Sequence, residues 1–277
     1  MLLLALACLA VGIAASTVAP LDLKSLGNHV LVVTAHPDDA EFLVGGTIIS
    51  LTRSGARVSL LIATAGDACT AGNGANATRE TTAATRLAEA QAGAAVMGID
   101  PEDVFILGVH DGHVNQDYFT VVQQVAAFAR VAQPTAALVF FQQPNFNAPP
   151  GHGKCPQCWD DLGWHPDHQA VGRAAFEALT GPATWSVLHD PALRSLPTLH
   201  LEVLYEFALT APELGAYVKL ESDVVEAKVQ ALLQHASQYP PGSESDVADS
   251  VAWVGGQIAA AAGLAEGTVV EGFRAFL

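Results

Sequence analysis

The tightest constraint on this chain is the passage Leu31-Val32-Val33-Thr34-Ala35-His36-Pro37-Asp38-Asp39-Ala40-Glu41, where an apolar run stops at a histidine, a proline and two adjacent aspartates. A Val- and Leu-rich run with polar flanks reads as a strand buried on both faces, the habit of parallel sheets. Gly45-Gly46 and a helix-like run follow. In open α/β sheets ligands sit beyond the carboxyl ends of the strands. His36, Asp38 and Asp39 therefore belong at the chemical edge of such a sheet.

Imidazole and carboxylate groups bind zinc and similar divalent cations, and a catalytic zinc takes three protein ligands with one position left for water. A second segment makes up the number. Gly163-Trp164-His165-Pro166-Asp167-His168 carries His-Pro-Asp-His against the His-Pro-Asp-Asp of the first. Asp and Pro also favour turns and helix starts, and Asp167 could merely cap a helix from His168 onward, so either segment alone is well explained as a turn. The two together point to a metal centre, with Asp38 as a spare carboxylate able to take a proton from bound water.

Ala35-His36-Pro37-Asp38-Asp39-Ala40-Glu41, Gly45-Gly46-Thr47 and His165-Pro166-Asp167-His168 together resemble the LmbE-like family. That family includes N-acetylglucosaminyl-phosphatidylinositol de-N-acetylase and the bacterial deacetylases of mycothiol and bacillithiol synthesis. The likeness runs from about His29 to Phe276. It implies one α/β domain, a Rossmann-like three-layer sandwich with a mostly parallel sheet. It implies zinc, or another divalent metal such as Fe2+, on His36, Asp39 and His168, with Asp38 as general base. His165 would stabilise the tetrahedral oxyanion or protonate the leaving amine, and Asp167 would orient His165 or a ligand. Asp111, Arg86, His235 and Gln238 fall where the family contacts its substrate, Asp111 holding sugar hydroxyls; a turn Asp-Gly explains Asp111 equally well. Glu89, Lys228, Ser237 and Glu271-Gly272-Phe273 also match family positions. Ala40, between Asp39 and Glu41, departs from the commonest pattern and weighs against a role for Glu41. The activity implied is removal of an N-acetyl group from an N-acetylglucosamine-type conjugate. The alternatives are a secreted carbohydrate-binding protein without catalysis, and an amide hydrolase acting on another glycopeptide or lipid conjugate.

The 277 residues suffice for one sizeable domain, with 51% hydrophobic and 14% charged residues to suit a well-buried sheet. A formal net charge of −16 argues against nucleic acid and against docking on anionic lipid. Residues 1–15 are apolar, close on Ala14-Ala15-Ser16 and read as a signal peptide ahead of the domain at 16–277. The run is short for a membrane span and gives no firm anchor. Secreted, periplasmic or secretory-pathway localisation follows as an expectation. In such a compartment Cys155 and Cys158 pair as a local disulfide. Asn76-Ala77-Thr78 is a glycosylation sequon, meaningful only in a eukaryotic secretory route.

Strands are expected at 28–34, 58–64, 104–107, 135–141, 199–208 and 217–220, and helices at 45–54, 78–97, 118–132, 167–179 and 222–237. The stretch 142–161 reads as a long cleft-forming loop. The tail at 240–267, rich in Ala, Gly and Ser, gives no readable element.

Overall fold

The structure, a computed structural model, describes residues 18–69, 76–142, 165–185, 191–207 and 214–276. The signal-peptide run, Cys155, Cys158 and most of the loop at 142–161 lie outside the described residues. The elements in chain order are β1 (Ala19–Pro20), β2 (His29–Thr34), α1 (Asp39–Arg53), β3 (Arg57–Thr64), α2 (Arg79–Val96), β4 (Val104–Val109), α3 (Tyr118–Ala132) and β5 (Ala136–Phe140). After them come α4 (Pro166–Thr180), α5 (Pro191–Arg194), β6 (Val203–Phe207), β7 (Ala216–Lys219), α6 (Ser222–Leu232), α7 (Glu244–Ala261) and β8 (Val270–Ala275).

The strands form one eight-stranded sheet in the order β1-β7-β8-β6-β5-β2-β3-β4. All neighbours are parallel except at β8, which runs antiparallel to both β6 and β7. The Val- and Leu-rich composition explains the centre: every residue of β2 and β5 is buried, as strands covered by helices on both faces must be. Replacing one of these side chains, Leu31 for example, by alanine would cost about 2–5 kcal/mol. Helices α1, α2 and α6 pack together, and α3 packs on α4.

The chain runs from β2 outward through β3 to β4, then returns to place β5 on the other side of β2. The carboxyl ends of β2 and β5 thus flank the point where the winding reverses, where open α/β sheets form their crevice. The first His-Pro-Asp segment leaves β2 there. The second follows β5 through the long loop and opens α4, with His165 as its N-cap and Pro166 in its first turn.

Helix α1 starts six residues earlier than the Gly45-Gly46 pair suggests. It is buried on nearly all sides and runs straight through both glycines. Gly46 is there for approach: a Cβ on it would stand 2.5 Å from the Leu220 side chain. Its N–H and that of Thr47 donate to the Glu271 carboxylate at 2.8 and 2.7 Å, and Lys228 Nζ reaches the same carboxylate at 2.5 Å. The tail that gave no element holds α7, whose Val247, Val251, Val254 and Ile258 form a buried stripe at helical spacing. Among the described residues no helix is long and apolar enough to cross a membrane.

Candidate metal centre and active site

Asp38 closes β2's extension with φ +97° and ψ −22°, a positive φ that a non-glycine residue adopts at a cost. This turn sends Asp38 and Asp39 in different directions. Asp39, the first residue of α1, is buried. Its Oδ2 accepts the backbone N–H of Ala35 at 3.1 Å and of His36 at 2.7 Å. Its Oδ1 stands 3.3 Å from His168 Nε2. His36 Nδ1 lies 3.1 Å from His168 Nε2 and 3.7 Å from Asp39 Oδ2.

Nitrogen and oxygen ligands about 2.0–2.1 Å from a tetrahedral ion are roughly 3.3–3.4 Å from one another. The three groups already stand near that spacing. His36 is oriented from behind: its Nε2 lies 3.1 Å from Asp111 Oδ1 and 3.4 Å from Asp167 Oδ2. A proton on Nε2 leaves Nδ1 as a lone pair facing His168, the arrangement in which a carboxylate fixes a metal-binding histidine. The stacked Phe140 ring, 4.5 Å away, sets the plane of His168. The donor set therefore fits a divalent cation.

The metal-free charges are strongly perturbed. Burial alone would lower the basicity of His36, but hydrogen bonds to Asp111 and Asp167 carry it up to about 10. Burial works against the ionised Asp39, yet His168 and His36 hold its carboxyl well below the usual range. Burial raises the partly exposed Asp38 to about 6, against the pull of Arg86 and His235. A cation-free centre thus keeps a proton on His36, where a metal would place its charge.

One ring nitrogen of His165 also comes within 4.8 Å of donors on His36 and His168. His165 Nδ1 accepts the Asp167 N–H at 3.2 Å, so the ring's proton sits on Nε2. Burial, with His36 and His168 beside it, pushes its pKa down and keeps it neutral. It is equipped to donate a hydrogen bond. His36, Asp111 and Asp167 form a second acidic group. Asp167 is already committed to the N–H groups of Gly112 and Val114, at 2.6 and 3.2 Å. That group serves as the outer support of the first.

Several residues expected at the substrate face elsewhere. Arg86 is buried, donating to the Pro37 and Gly66 carbonyls and to Asp38 Oδ2. His235 is fully buried and turns its Nε2 to Glu41 Oε1 at 3.1 Å, because α2 comes close enough at Gly93 to seal the pair. Asp111 spends its carboxylate on His36, and Asp167 orients the ligand His36 through its side chain. Gln238 stays half-buried near the site, accepting from Cys69 Sγ at 3.4 Å. Glu41, discounted in the sequence, is a buried partner of the network. Asp67 was not singled out, although it binds Arg79, His110 and the Asp111 N–H. Its place just past the end of β3 was the available signal.

The family model described as GlcNAc-PI de-N-acetylase matches residues 31–179. A probable N-acetyl-alpha-D-glucosaminyl L-malate deacetylase 2 of Bacillus cereus is 30% identical over 216 residues, 76% of this chain and 84% of that protein. Diacetylchitobiose deacetylase of Thermococcus kodakarensis is 26% identical over 214 residues, 77% of this chain and 71% of that protein. Among solved structures, the N,N'-diacetylchitobiose deacetylase from Pyrococcus horikoshii superposes with a TM-score of 0.72 at 21% identity, over 92% of this chain and 87% of that one. The 4-carboxy-2-hydroxymuconate hydratase GalB from Pseudomonas putida also superposes, with a TM-score of 0.65 at 16% identity over 90% and 96% of the two chains. The fold is therefore shared by more than one chemistry, and the site has to decide.

Proposed function

We propose, for a chain that belongs to the GlcNAc-PI de-N-acetylase family, that it is a zinc-dependent hydrolase removing the N-acetyl group of an N-acetylglucosamine-type conjugate. The observation that carries this reading is the convergence of His36 Nδ1, His168 Nε2 and the Asp39 carboxylate, with the carboxylate of Asp38 free of that set. The deacetylases among its relatives support the reaction class. Two imidazoles and one carboxylate hold zinc in hydrolases and Fe2+ in oxygenases alike; zinc is preferred here because the relatives are named as deacetylases.

Zinc held by His36, Asp39 and His168 would supply Lewis-acid chemistry, acidifying a water and polarising the acyl carbonyl. The chain's own groups do the rest. Asp38 takes a proton from the attacking water as its oxygen bonds to the acyl carbon. His165 donates its Nε2–H to the oxyanion that develops on the carbonyl oxygen. The proton held by Asp38 passes to the amide nitrogen as the C–N bond breaks. A primary amine and acetic acid, which releases its proton to water, leave. Asp111 and Asp167 keep His36 aligned throughout.

Residues 1–15 support secretion or periplasmic export, and with it a Cys155–Cys158 disulfide that thiol labelling of unreduced, denatured protein would detect. The function itself is tested by measuring amine release from di-N-acetylchitobiose and related conjugates with and without chelator. Bound metal is quantified alongside, at about one ion per chain. His168→Ala should lose most of the metal. Full metal content in that variant would show the ligand set to be wrong.

A further inference from the structure

Arg86 is the one guanidinium that reaches Asp38 among the described residues, and it exposes only 4% of its surface. Its Nη2 donates to the Pro37 carbonyl at 2.6 Å and to Asp38 Oδ2 at 3.2 Å, while Nη1 reaches the Gly66 carbonyl at 3.4 Å. One side chain thus clasps both the peptide entering Asp38 and the carboxylate leaving it. The space is built for this fork. Gly66 has φ +62°, and a Cβ there would stand 2.3 Å from Arg86 Nη1.

Asp38 has reason to need a clasp. A non-glycine residue at positive φ is strained and persists only where its surroundings over-determine it. The fork is itself fixed by the next turn of α2, where Glu89 accepts the Ser237 N–H and Oγ–H, both at 2.7 Å. The base is therefore held from α2, and α2 from the turn after α6.

We propose that Arg86 is a positioning residue that fixes the Pro37–Asp38 turn and so aims the Asp38 carboxylate at the attacking water. This rests on the deacetylase reading. It replaces the substrate contact expected for Arg86, whose two terminal nitrogens already have three acceptors within the chain while the buried Nε has no hydrogen-bond partner. Lysine keeps the charge but cannot hold a carbonyl and a carboxylate together as the planar fork does.

Wild type, Arg86→Lys and Arg86→Ala are to be compared on di-N-acetylchitobiose for kcat, KM, bound metal and melting temperature. Both variants should lose about 10–100-fold in kcat. KM should stay within about twofold, and metal content should be unchanged. Millimolar guanidinium should restore part of kcat in Arg86→Ala and nothing in wild type. A raised KM at unchanged kcat would make Arg86 a substrate contact and overturn the assignment. So would an unchanged kcat, or loss of the metal. If Arg86→Ala does not fold, the same division of kcat and KM in Arg86→Lys decides. A wild type that releases no amine overturns the deacetylase reading and this assignment with it. Failure of the assignment alone leaves wild-type turnover intact.

Discussion

Strands β2, β3 and β4 begin and end in polar clusters made of much the same residue types. Where they begin, His29 Nε2 lies 2.9 Å from Ser59 Oγ, which donates to Asp103 Oδ1 at 3.2 Å. Arg57 closes a two-pronged bond on Asp103 at 2.9 and 2.6 Å. An open groove of about 390 Å3 runs beside it, lined by Arg57, Asp100, Glu102 and Asp103. Where the strands end, His36, Asp38, Asp39 and Asp111 meet His168 and Asp167. The starting end balances one buried carboxylate with one guanidinium. Burial and Arg57 lower the His29 pKa and leave it neutral. The finishing end crowds the carboxylates of Asp38, Asp39, Asp111 and Asp167 around three imidazoles, with Arg86 on Asp38 and a proton on His36 to offset them. Histidine, serine and aspartate together do not make a site, and neither does an open groove. The uncompensated negative charge, beside two imidazole nitrogens facing each other, does.

The difference can be broken at its strongest point first. Asp38→Asn keeps the shape, and asparagine tolerates the left-handed turn, but it cannot accept the proton. Turnover should fall about 10²–10⁴-fold with metal still bound. Asp39→Asn should instead weaken metal binding, and added zinc should recover part of the activity. Retention of both metal and turnover in the two variants would remove the centre from the reaction.

Asp111→Asn comes next. With its carboxylate supporting His36, it should cost about 10–100-fold in activity or metal affinity. A rise confined to KM would instead return Asp111 to the sugar hydroxyls. The pH profile is gentler. Burial raises the Asp38 carboxyl to about 6 in the cation-free site, and a bound dication would draw it back down. kcat/KM should climb about tenfold per pH unit and level at or below that value. An acid limb centred above pH 6 would assign it to a group other than Asp38. The smallest effect belongs to the starting end. Asp103→Asn should lower stability by about 1 kcal/mol, since Arg57 is half-exposed and can turn to water. Metal content and turnover should stay as they were. A loss of activity there would mean that the two ends are coupled through the strands.

The candidate metal centre was legible because one motif follows a strand end, the other opens a helix, and both carry residue types with few other uses. The sheet was legible because β2, β3 and β5 are continuous apolar runs. The roles of Arg86 and His235 were not. A charged residue on a helix shows its position, but whether it faces a cleft or a neighbouring helix depends on distant partners, here Asp38, 48 residues from Arg86, and Glu41, 194 residues from His235. The start of α1 was hidden by Gly45-Gly46, which look like an entry turn and instead let Lys228 and Met97 approach Gly45 and Leu220 approach Gly46. Helix α7 shows its stripe only once the Ala and Gly between its valines are read as small faces against β8.

The tether from Glu271 to the middle of α1 spans 225 residues of chain. It comes from β8, the strand that joins β6 to β7 and through it to β1. During synthesis the first His-Pro-Asp segment emerges early, since chains fold from the amino end as they are made. The helix that carries it lacks its anchor until β8 arrives, and β7 and β1 have no place in the sheet before then. A chain cut before β8 would keep His36, Asp39 and His168 yet lose the carboxylate that grips the middle of α1.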